Sequence, residues 1–138
     1  MKVNIPLALA ATLFVLTPFA GQSNALPPLK ENERVMGELV SGEVGYQIQK
    51  HCSTIKPRML RAMGRINKLE SYARSLGYTS DDFDALSKDP VARAARDARV
   101  DAYLTQNGVT KGDADSYCRL GLLEIEKKSL TGWLLRAI

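Results

Sequence analysis

After the first twenty-five residues, apolar positions in this 138-residue chain recur every three or four residues, and no segment sustains a period of two. The pattern predicts helices throughout. A first helix over Leu29 to Lys50 puts Val35, Met36, Leu39, Val40, Val44 and Ile48 on one stripe. A second, capped by Ser53 or Thr54 with Pro57 in its first turn, gathers Ile55, Met59, Met63, Ile66, Ala73 and Leu76 into one arc. Arg58, Arg61, Arg65 and Lys68 fall together on its far side. A short helix over Ser80 to Ser87 and a longer one opened by Asp89-Pro90 follow. Val91, Ala94, Ala95, Ala98 and Ala102 give the longer one a small-residue stripe suited to close approach by another helix. The last long helix, Lys111 to Lys128, aligns Ala114, Cys118, Gly121, Leu122 and Ile125, and Gly121 leaves room one turn beyond the cysteine. Leu130, Trp133, Leu134 and Ile138 then form the apolar face of a tail helix.

Two corners share one device. In Gly77-Tyr78-Thr79-Ser80-Asp81-Asp82 and in Gly108-Val109-Thr110-Lys111-Gly112-Asp113, a glycine can end one helix in the left-handed conformation. A threonine then caps the next, with an aspartate at its third position. Sharp corners of this kind build compact bundles. The expected fold is therefore all-α, a small bundle of four to five helices.

The start of the chain reads as a targeting segment. Lys2 supplies a positive end, Ile5 to Ala20 an apolar stretch, and Ser23-Asn24-Ala25 a small-residue cleavage site. The apolar run is shorter than the ~20 residues of a membrane span, and Pro6 and Pro18 interrupt it. The expected organisation is a signal peptide over residues 1–25 and a single helical domain over 26–138, with no transmembrane span in the mature chain. Export places the chain in an oxidising compartment, so its two cysteines, Cys52 and Cys118, read as a disulfide.

Loss of Lys2 lowers the net charge from +4 to +3. Leu26 to Leu76 holds nine Lys/Arg against five Glu, and the remainder nine against ten Asp/Glu. That asymmetry is too small to argue for nucleic acid. Catalytic constellations are not found. His51 and Cys52 are helical neighbours that point apart, and a disulfide would consume the thiol. One histidine and two distant cysteines lack the spacing of a zinc site. Asp113-Ala114-Asp115 continues with neither a glycine turn nor a placed glutamate, so it is no calcium loop. The expectation is no enzyme, no cofactor and no metal.

His51-Cys52, the Gly77-Tyr78-Thr79 corner and Tyr117-Cys118-Arg119-Leu120-Gly121 resemble a family of short exported bacterial proteins known only as a domain of unknown function. The likeness covers most of Leu26 to Ile138, implies a helical periplasmic domain and carries no activity across. The gross plan is also similar to periplasmic immunity proteins and acid-stress chaperones, by architecture alone. The expected function is a periplasmic binding or accessory factor. It would dock onto another envelope protein through the strip Arg58, Arg61, Arg65, Lys68 or the tail face Leu130, Trp133, Leu134, Ile138. Each surface has a plainer reading, a solvated charged face for the strip and packing on its own core for the tail. The alternative functions are peripheral attachment to anionic lipid through the same surfaces, an inhibitor/immunity-type or chaperone-like periplasmic role, and an enzyme whose carboxylates converge only in the fold.

Overall fold

A computed structural model describes residues 25–138, so the expected signal peptide, Ala25 apart, lies outside the described residues. A 3-10 turn over Leu29–Glu31 leads into α1 (Glu33–His51), and the order continues β1 (Ile55–Pro57), α2 (Met59–Ser75), α3 (Ser80–Lys88), α4 (Pro90–Gln106), α5 (Ala114–Lys127), α6 (Leu130–Trp133) and β2 (Leu135–Ala137). The fold is an all-α bundle. α1 is its axis and touches α2, α4, α5, α6 and β1. Its buried Val35, Met36, Val44 and Ile48 match the stripe expected from spacing. Asn32, whose side chain accepts from the Val35 N–H at 3.0 Å, starts the helix four residues later than expected.

Two cores lie along α1. The larger joins Val44, Ile48, Cys52 and Ile55 to Val100, Leu104, Val109, Tyr117, Leu120 and Leu135. The smaller joins Leu29 and Val35 to Leu69, Ala73 and Tyr78. The Tyr78 hydroxyl donates to the Pro27 carbonyl at 2.8 Å and so pins the lead segment to the first corner. Cys52 and Cys118 are bonded, S–S 2.06 Å, across 66 residues of chain.

The expected corner at Thr79 forms. Gly77 has φ +101°, the Thr79 hydroxyl accepts from the Asp82 N–H, and the Asp82 carboxylate accepts from the Thr79 N–H at 2.6 Å. Asp89 caps α4 through the N–H groups of Val91 and Ala92. The second corner differs: Thr110 is not a cap, and its N–H donates to the Ser116 hydroxyl at 3.1 Å. Gly112, at φ +89°, turns the chain once more, so that Asp113 caps α5 and the helix begins at Ala114.

Three expected faces are turned. Residues 55–57 are not the first turn of α2 but a strand, antiparallel to β2 with Ile55↔Ala137, Lys56↔Arg136 and Pro57↔Leu135 in register. Pro57 disfavours helical geometry at Lys56, and the tail offers backbone partners instead: the Arg58 N–H donates to the Leu134 carbonyl at 2.7 Å and the Ile138 N–H to the Thr54 carbonyl at 2.9 Å. On α2 the apolar arc Met59, Met63, Ile66, Leu76 lies outside, and Leu69 and Ala73 face the core. On α4 the stripe Val91, Ala94, Ala95, Ala98, Ala102 is exposed, while Ala92, Val100 and Leu104 are buried. Valine and leucine remove more apolar area from water than alanine methyls do. On α5 the stripe is rotated, with Ser116, Tyr117, Leu120, Gly121 and Glu124 inside. Cys118 and Ile125 are half-buried, and Ala114 and Leu122 exposed.

Candidate functional site

The start of α2 and the tail form one corner of the molecule. Arg58 donates through Nε to the Leu135 carbonyl at 2.9 Å. Arg61 donates through Nη1 to the Trp133 carbonyl at 3.1 Å, and its guanidinium sits 4.9 Å from the centre of the Trp133 ring. Arg65 turns to α1 and meets Glu38 with two bonds of 2.7 Å each. Lys68 is exposed and makes no ion pair among the described residues. The basic strip is thus divided: two arginines hold the tail, one ties α2 to α1, and one lysine faces water.

The tail also departs from one long face. α6 is a single turn seated by buried Thr131 and Gly132, after which the chain extends as β2 with Leu135 buried. The Thr131 hydroxyl donates to the Ser41 carbonyl of α1 at 2.9 Å. Leu130 and Leu134 are half-buried, whereas Trp133 is 41% and Ile138 69% exposed. Of the eight residues expected to contact a partner, Arg58, Arg61, Trp133 and Leu134 come together at this corner through the bonds above; Arg65 and Lys68 continue along α2, and Leu130 and Ile138 stand at the two ends of the tail.

Sequence reasoning missed the ridge that borders these arginines. Met59 (61%), Leu60 (86%), Met63 (61%) and Ile66 (51%) are exposed on the first two turns of α2. It also missed Lys56 and Arg136, directly paired across β1 and β2. Ile55 and Leu135 are buried, so strand alternation turns Lys56 and Arg136 the other way. A shallow depression at the foot of the ridge is lined by Pro57, Arg58, Met59, Leu60, Arg61 and Arg136, with no carboxylate in its wall. The i, i+4, i+7 spacing of Met59, Met63 and Ile66 is the spacing of a core stripe, and nothing local marks it as exposed.

Elsewhere, His51 is exposed and stacks on Tyr117 with ring centres 4.5 Å apart. It borders a polar cleft in which charged side chains already meet one another, Arg96 with Asp97 and Lys111 with Asp101. Glu124 is buried in α5 and accepts hydrogen bonds from the Tyr103 hydroxyl at 2.6 Å and from the Ser129 hydroxyl. Burial first, then the Glu124 carboxylate, pushes the Tyr103 phenol up to about 12. Bonds from the Thr79 backbone and hydroxyl hold Asp82 below the usual carboxylate range, and the Lys30 ammonium followed by the Val91 N–H does the same for Asp89. Among the described residues, no group of three His, Cys, Asp or Glu side chains is placed to hold a metal.

Residues 27–136 match the model of a family described as a family of unknown function, DUF5333. No curated protein and no solved structure matches the chain.

Proposed function

Since the chain belongs to the family DUF5333, whose description transfers no activity, we propose a function from the surface chemistry. The protein is a periplasmic accessory factor, exported by a cleaved signal peptide, that docks onto another envelope protein through the α2–tail corner. The ridge Met59, Leu60, Met63, Ile66 carries this reading, because a contiguous exposed apolar patch bordered by polar groups is characteristic of an interaction surface. Export is supported by the Cys52–Cys118 bond, which persists in oxidising compartments. No described helix is long and apolar enough to cross a membrane.

The test of docking is recovery of a partner from envelope extract by the tagged full chain. Leu60→Asp and Met63→Asp place charges on side chains that support no core, so circular dichroism should be unchanged while recovery falls. Equal recovery by the wild type and both variants overturns the reading. Export is checked separately by the mass of the secreted chain, expected to begin at Leu26. The cationic rim also suits anionic lipid, and co-sedimentation with phosphatidylglycerol vesicles at low salt separates the two partners.

A further inference from the structure

Resting on that reading, we infer that the segment received at this corner is an amphipathic helix bearing Asp or Glu beside its apolar stripe. Three features of the corner define its occupant. Met59, Met63 and Ile66 stand at i, i+4 and i+7, with Leu60 beside them. This is a ridge about 10 Å long at the rise of an α-helix, the dimension over which one helix beds onto another through its own i, i+4 row. Methionines supply an unbranched, adaptable contact.

Charge decides the rest of the partner's chemistry. Arg58, Arg61 and Arg136 line the depression below the ridge, Lys56 is paired with Arg136, and no acidic side chain stands in the wall. Arg58 and Arg61 each spend one nitrogen on a tail carbonyl. Their guanidinium planes are therefore held in place, with the other N–H groups free of that bond. A fixed guanidinium fork matches a carboxylate with two parallel hydrogen bonds. A second copy of this chain fits poorly, since a two-fold contact sets the same surface against itself and the cations against one another. A lipid surface fits less well than a peptide, because Trp133, the residue suited to anchor in an interface, has the Arg61 guanidinium over its ring.

Photo-cross-linking of the full chain in its native host tests the inference. Leu60→p-benzoylphenylalanine, and separately Met63→p-benzoylphenylalanine, are irradiated, and the adducts are mapped by mass spectrometry. The expected adduct is a protein segment with apolar residues at helical spacing and Asp or Glu on adjoining positions. Its yield should drop several-fold with Arg136→Glu or Lys56→Glu and on raising salt from about 0.1 M to about 1 M, which shortens screening from ~10 Å to ~3 Å. Lys88→Glu, at the end of α3, should leave it unchanged. A neutral or basic segment, or a yield indifferent to both reversals in chains that circular dichroism shows to be folded, overturns the inference and leaves the docking reading standing. Adducts only with lipid, only with a second copy, or none from either position overturn both.

Discussion

Gly121 and Gly132 are the residues at which the packing tolerates least. A methyl group at Gly121 would lie 2.3 Å from Ile55 Cδ1 and 2.6 Å from Ile48 Cγ2, both on fully buried side chains. At Gly132 it would lie 1.9 Å from the Glu124 carbonyl oxygen, and backbone cannot rotate away as a side chain can. Gly121→Ala should therefore cost about 1–3 kcal/mol in urea unfolding, and Gly132→Ala more, with α6 lifted off α5. The space at Gly121 was legible in the sequence as room one turn beyond Cys118; its occupants are Ile48 and Ile55, on either side of Cys52. Nothing local marked Glu124, which reads as one more surface acid until Tyr103 and Ser129 are seen to donate to it. Burial beside this carboxylate favours the neutral Tyr103 phenol in the folded state, so its contribution to stability is complete below the ordinary tyrosine value near 10 and is lost as pH rises through about 12. A spectrophotometric titration should show one phenol ionising late, and Tyr103→Phe should remove that step.

Elements were legible where their signals are local. Gly77, Tyr78, Thr79 and Asp82 form a corner whose chemistry is complete within six residues, and it folds as its sequence implies. Thr79→Ala should cost about 1 kcal/mol, read as a lower melting temperature. The lowered Asp82 value gives that corner a pH sense: its contribution is present above the ordinary carboxylate range and lost as acid carries the group through its depressed value. Faces were harder to read than elements. Periodicity says that α2 and α4 have a stripe, but which side is covered depends on what arrives from elsewhere in the chain. On α2, Arg58, Arg61 and Arg65 turn towards the tail and α1 because carbonyls and Glu38 wait for them there. Met59, Met63 and Ile66 are left outside as a result. The short strand at residues 55–57 was illegible for the same reason, since its partner lies about eighty residues away.

For the molecule as a whole, the bond between Cys52 and Cys118 closes a loop of 66 residues. In the chain-entropy account such a loop is worth about 4 kcal/mol, a large part of the stability of a domain this size. Urea midpoints with and without a reducing agent should differ accordingly, and Cys52→Ser with Cys118→Ser should abolish the difference. This link was legible because two cysteines leave only one pairing once the start of the chain is read as an export signal. The antiparallel seam between residues 55–57 and 135–137 carries a consequence of its own. A polypeptide that emerges one residue at a time, from a ribosome or through a translocation channel, presents Ile55 long before Leu135 exists to shelter it. Closure of the larger core must therefore wait for almost the whole chain to be delivered. Throughout that interval the apolar side chains of the nascent protein's first half stay uncovered.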